Sequence, residues 1–159
     1  MRYQRYFQVL QVANKNMEKR IKHLEMIQEI IKRMAGNSFL LRGWSITLTA
    51  AISTLFFSTT STETKPYLIL TALFLIFVFW TLDAYYLSQE RAFRKLYEEV
   101  RIKSENEIDF SMNARRYLCG DGSWFSSMFS SVFLVFYGTA TVVLLLVTSN
   151  FIGISFYIK

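Results

Sequence analysis

One cysteine, one proline, one histidine and six glycines among 159 residues exclude several classes of protein at once. The lone Cys119 rules out an intramolecular disulfide and any thiolate cluster for zinc or for iron and sulfur. So little glycine and proline leaves scant turn chemistry for an all-β fold, and no apolar stretch alternates with the period of two that a barrel strand shows. His23 stands beside Arg20 and Lys22 in a helical pattern, so it is expected on a solvated surface, and no Arg sits where an Arg-x4-6-His ribonuclease motif needs one. The carboxylates of Glu98, Glu99, Glu105, Glu107 and Asp109 have no histidine neighbour, and no Walker, Rossmann, HExxH or GxSxG pattern occurs. No catalytic residue, cofactor site or metal site is therefore expected.

Apolar residues are what the chain has in quantity. They make up 52% of it, with 17% aromatic, and they gather into three blocks instead of spreading periodically, which points to lipid. The length suits one domain. The expected fold class is all-α: an integral membrane protein with three transmembrane helices, a long amphipathic N-terminal cytoplasmic helix, and a cytoplasmic helical extension of the second span. The boundaries read as a cytoplasmic helix at 1–36, spans at 44–61, 67–87 and 124–147, a cytoplasmic helix and loop at 88–123, and an external tail at 148–159. The second span, YLILTALFLIFVFWTL, has no charge before Asp83, and Pro66 starts it where a missing backbone donor costs nothing. The first span is the least apolar, and length alone would also permit a re-entrant segment.

Charge placement favours three crossings. Nine Lys or Arg precede the first span, seven lie between Arg91 and Arg116, and the 59–65 loop holds only Lys65. Three spans put both basic segments on the cytoplasmic side, as the positive-inside bias requires. Trp44, Trp80 and Trp124 then mark the cytoplasmic ends of the spans, and Tyr67, Phe151 and Tyr157 the outer face. The first forty residues carry no apolar stretch with a small-residue cleavage site, so no cleavable signal is expected. The expected location is a bacterial inner membrane, with the N-terminus cytoplasmic and the C-terminus periplasmic.

No glycine or proline interrupts Tyr3 to Met34, and Gly36-Asn37 predicts a left-handed C-cap just before the first span. Tyr3, Phe7, Leu10, Asn14, Met17, Ile21, Leu24, Gln28 and Ile31 form a heptad seam in which Asn14 and Gln28 would fix register, so association into a homo-oligomer is expected. The bland alternative is an amphipathic helix lying on its own chain or on lipid headgroups. Beyond the second span, Glu90 with Arg94 and Glu99 with Lys103 have the stabilising i, i+4 order. The stripe Leu87, Phe93, Leu96, Tyr97 and Val100 needs a partner, for which the first helix is nearest, and 109–123 reads as an irregular return to the membrane. Arg91, Arg94 and Lys95 interleaved with Phe93 and Tyr97 could suit RNA, but Glu90, Glu98 and Glu99 oppose it. Membrane lipid is the expected partner, and direct nucleic-acid binding is not.

Polarity enters the bilayer in few places. Ser45, Thr49 and Ser53 share one face of the first span, with Thr47, Thr54 and Ser58 beside them; these either let helices pack closely or line a water-filled path in an oligomer. Ser123, Ser126, Ser127, Ser130 and Ser131 open the third span. Asp83, at the cytoplasmic end of the second, is either functional or an interfacial carboxylate paired with an Arg such as Arg42.

The stretches from Ile30 to Ala51 and from Phe79 to Arg101 resemble a family of small bacterial membrane proteins found with antiviral defence loci, the pore-forming membrane accessories of type VI-B CRISPR systems. The similarity rests on Asn37, Ser38 and Phe39 leading to Trp44, and on the signature Trp80, Leu82, Asp83, Tyr85, Leu87, Glu90 and Arg91 leaving a span. It covers about the first two-thirds of the chain. It implies an oligomeric pore. From the residues themselves, the hydroxyl face Ser45, Thr49 and Ser53 is the candidate wall, and Asn14, Ile21 and Gln28 lie in the candidate oligomer seam. The resemblance also implies an RNA-guided nuclease system acting upstream. A ribonuclease motif suspected in some members is missing here. The alternative function is a structural membrane anchor that recruits a soluble partner through its cytoplasmic helices.

Overall fold

With its only proline at position 66, the first part of the chain can run as one rod, and it does. The computed structural model describes residues 2–104 and 107–157 of the backbone. Helix α1, Arg2–Ser58, has 57 residues and spans about 85 Å at 1.5 Å per residue. The C-cap expected at Gly36-Asn37 is not there: neither residue has positive φ, and the helix passes through both. Tertiary contact overrides the local stop signal. Ile27 on one side of Gly36, and Ser38 and Arg42 on the other, are all held against the next helix, so ending α1 between them would give up one set of contacts.

Helix α2, Lys65–Ile102, carries Pro66 in its first turn and returns antiparallel to α1 for 38 residues without a break. The second apolar block therefore runs on as one helix, as expected. Its far end meets α1 through Ile27, Ala92, Leu96 and Val100, with Leu24, Ile31, Phe93 and Tyr97 around them, so the amphipathic stripe beyond the second apolar block does find the first helix. The i, i+4 pairs form as well, Glu90 to Arg94 at 2.7 Å and Glu99 to Lys103 at 3.0 Å.

After Lys103 the chain folds back along α2. Ala114 joins the buried cluster there, and short 3-10 turns at Arg115–Tyr117 and Gly120–Gly122 bring it to the third apolar block; Glu105, named above among the carboxylates, lies outside the described residues. A Cβ on Gly122 would collide with the Tyr117 carbonyl oxygen, so only glycine fits at this turn.

The third block is two helices, not the single span expected from 124 to 147. Helix α3, Trp124–Met128, is a five-residue turn capped by the Ser123 side chain, and α4 runs Ser131–Tyr157. The break lies where the Trp80 indole takes the Met128 carbonyl at 2.9 Å, an acceptor that a continuous helix would use internally. Helix α4 also continues through most of the stretch read as a tail. The side chains of Phe151 and Tyr157, expected to mark the outer face, lie outside the described residues, as do those of Arg2 and Arg5.

The described residues contain helices and no strand, and three of the helices are long and apolar enough to cross a membrane. Leu70, Phe74, Phe77, Val132, Val135 and Leu146 face outward, a surface suited to lipid and costly in water. Inside, Ala72, Ile76, Ala84, Met128, Phe133, Tyr137 and Leu144 join α2, α3 and α4.

Candidate functional site

The one carboxylate at the end of the apolar part of α2 is fully buried. Asp83 has 0% of its surface exposed, and three helices converge on it. From α1, Ser38 donates its hydroxyl to Oδ1, and Arg42, one turn on, donates Nε to Oδ2 at 2.8 Å and Nη2 to the Ser38 Oγ at 2.9 Å. From α4, the Tyr137 hydroxyl reaches Oδ2 at 3.2 Å. The spacing of Ser38 and Arg42 by four residues places both on one face of a helix, which is why one carboxylate can serve both. Aromatic rings seal the group: Arg42 lies over Phe133 at 5.1 Å, and Trp80 stacks on Tyr137 at 6.3 Å.

Chemically, the arrangement fixes one ion pair with its neutral donors, the carboxylate fully buried and the guanidinium 29% exposed. Such a pair contributes little net stability, but losing Arg42 leaves the Asp83 carboxylate buried without its cation, which costs about 3–5 kcal/mol. The Arg42 alternative for Asp83 is the geometry that forms. Tyr137 was missed. The available signal was that it is the only tyrosine within 124–147, since a hydroxyl in an apolar span requires a partner.

The other signature residues divide by exposure. Ser38 is buried, Phe39 and Trp44 are exposed on α1, Tyr85 is half exposed and edge-on to Tyr86, and Asn37 and Trp80 are partly buried. Glu90 pairs with Arg94, while Arg91 donates to the Asp121 carbonyl at 3.1 Å and to Ser127 and Ser130 at 3.4 Å each. Two serines of the third block are thus partners of Arg91. Trp124 caps the Thr81 carbonyl at 3.0 Å, which brings the ends of the second and third apolar blocks to one level.

Ser45, Thr49 and Ser53 face a cleft of about 330 Å³ between α1 and α4, whose other wall is Ala140, Val143, Leu144 and Val147. Ser45 is buried and Ser53 bonds the Thr49 carbonyl at 2.8 Å, whereas the Thr49 hydroxyl is buried with no partner. Thr47 and Thr54, on the neighbouring face, bond back to carbonyls four residues earlier.

His23 is the main correction to the sequence reading. It is buried to 1% exposure, with Nε2 3.1 Å from the Ser111 carbonyl oxygen and its ring 5.4 Å from that of Phe110. The return segment folds over it, with Phe110 at positive φ, so a position facing solvent on an isolated helix becomes interior. Its Nδ1 has no partner. Of the residues expected to form an oligomer seam, Asn14 and Ile21 are exposed, as are Tyr3, Phe7, Leu10 and Met17; Gln28 is exposed too and lines a groove with Arg94, Tyr97 and Glu98. From Leu24 on, the apolar members Leu24 and Ile31 are partly buried against α2.

No family model, curated protein or solved structure matches the chain. Its functional reading rests on this geometry and on the signature residues. Among the described residues, no three His, Cys, Asp or Glu converge as metal ligands would.

Proposed function

We propose that the chain is a homo-oligomeric membrane pore or membrane-perturbing effector of bacterial antiviral defence. It would sit in the inner membrane with its N-terminus cytoplasmic, and depolarise or permeabilise that membrane when a partner nuclease system is activated. The observation that carries this reading is the unpartnered Thr49 hydroxyl in the hydroxyl-lined cleft beside α4. A hydroxyl left unsatisfied in apolar surroundings costs about 1–3 kcal/mol, a cost that water in an assembled pore removes. The exposed seam on the first six turns of α1 supplies a surface for the assembly.

Expression should depolarise cells, read with a voltage-sensitive dye. In the active state, Ser45→Cys, Thr49→Cys and Ser53→Cys should each react with a water-soluble thiol reagent. Protection of all three would move the path to another face. Retention of membrane potential, together with a monomeric mass in detergent, would favour the membrane-anchor alternative.

A further inference from the structure

Between α2 and the break that precedes α4 lies a second cavity, of about 550 Å³, that the pore reading does not use. Arg91, Arg94 and Lys95 line it from α2, and Ser126, Ser130 and Ser131 from the other side. Its charges are unevenly matched. Arg94 pairs with Glu90, and Asp121 lies on the rim, but among the described residues no carboxylate is within ion-pair distance of Arg91 or Lys95. Arg91 is held by neutral acceptors alone, the Asp121 carbonyl and the Ser127 and Ser130 hydroxyls. Three cations against Glu90 and Asp121 leave one net positive charge, the complement of a single phosphodiester.

The rim is apolar. Phe129 lines the cavity, Phe125 stacks on it edge-on at 5.1 Å, and Val132 continues the same exposed surface onto α4. A free anion has no use for that surface, whereas the acyl chains of a lipid do. The Trp124 and Trp80 indoles, tied to the Thr81 and Met128 carbonyls, lie at this level, as is common for tryptophan at a membrane–water interface. We propose that this cavity binds the phosphodiester headgroup of an anionic phospholipid, with its chains against Phe125, Phe129 and α4. The proposal rests on the reading of the apolar helices as membrane spans, and does not depend on the pore.

The test uses the full chain, extracted in mild detergent from vesicles of phosphatidylglycerol and phosphatidylcholine in equal amounts, with retained lipid counted by native mass spectrometry. Wild-type protein should retain phosphatidylglycerol over phosphatidylcholine. Lys95→Gln, which alters an exposed side chain, should lower that preference about fivefold, and Lys95→Glu more. Inorganic phosphate at millimolar concentration should not displace the lipid. Equal retention of the two lipids, an unchanged preference in both variants, or displacement by phosphate would each overturn the proposal, the last in favour of a soluble anion. Alkaline carbonate extraction separates the underlying assumption: release of the protein from membranes defeats the spanning reading itself, whereas loss of lipid preference in a carbonate-resistant protein defeats the lipid site alone.

Discussion

The Asp83 junction and the α1–α4 cleft lie about 10 Å apart along α1, seven residues from Arg42 to Thr49, and treat polar groups in opposite ways. At the junction, both carboxylate oxygens of Asp83 are bonded, to Ser38, Arg42 and Tyr137. In the cleft, the Thr49 hydroxyl is buried and bonded to nothing. Polar atoms that are fully partnered hold helices in one arrangement, whereas an unpartnered one marks a place where another arrangement, or water, can be accommodated. The junction is the fixed point of the fold, and the cleft is where the proposed function lies.

The largest expected effect comes from breaking the fixed point. Arg42→Met strands the buried Asp83 carboxylate and should lower stability by about 3–5 kcal/mol, seen as an earlier thermal transition in detergent followed through the fluorescence of Trp80, which stacks on Tyr137. Adding Asp83→Leu removes the stranded charge and should recover most of the loss. A single variant as stable as wild type would mean that the pair is solvated and the junction is not a closed core.

Next is assembly, where the two seam amides should no longer behave alike. Both are exposed, but Gln28 borders a groove whose other wall is Arg94, Tyr97 and Glu98 of α2, whereas Asn14 lies beyond the reach of α2's buried cluster. On the proposed assembly, Asn14→Leu should broaden the distribution of oligomer masses, because a polar seam residue proposed to fix register is gone, and Gln28→Leu, beside α2 of its own chain, should leave the distribution narrow. Equal broadening by both would place Gln28 in a contact between copies.

Thr49→Val tests the cleft with a smaller change. Since the hydroxyl has no partner to lose, folding stability should hold or rise by about 1 kcal/mol, while conductance falls. A clear loss of stability would reveal a bonding partner and place Thr49 with the packing residues.

The smallest effect is at the far end of α2. The Lys103 ammonium, and after it the Arg116 guanidinium, hold the Glu99 carboxyl below the usual range. A carboxylate whose pKa falls on folding contributes stability that is full above its unfolded value, near pH 4, and is lost as pH falls through the folded one. Protection of the 107–123 segment from an acid-active protease should therefore weaken at low pH, and Glu99→Gln should show the weaker protection already at neutral pH. Protection that does not change with pH would show that Ser111, Gly122 and their neighbours hold the segment without Glu99.

Legibility in the sequence followed the range of the interaction. The helical class, the long unbroken α2, the Glu90–Arg94 and Glu99–Lys103 pairs and the candidacy of Arg42 for Asp83 were readable, because each depends on spacing along one helix or on a charge that must find an opposite one. The passage of α1 through Gly36-Asn37, the break before Ser131, the burial of His23 and the part played by Tyr137 were not. Each of those depends on a residue more than forty positions away: Ser38 on Asp83, Trp80 on Met128, His23 on Ser111, Tyr137 on Asp83.

By itself, then, the order of residues determined where the apolar helices lie and which faces carry hydroxyls and charge, because hydrophobic runs and helical periodicity are local properties of the chain. Only the tertiary structure decided which of those groups are partnered. The same α1 brings Ser38 and Arg42 to a carboxylate and leaves Thr49 facing a cleft, a difference set by what α2 and α4 place opposite each turn. A buried polar atom is stabilised or stranded by its neighbours in space, and those neighbours come from other parts of the chain.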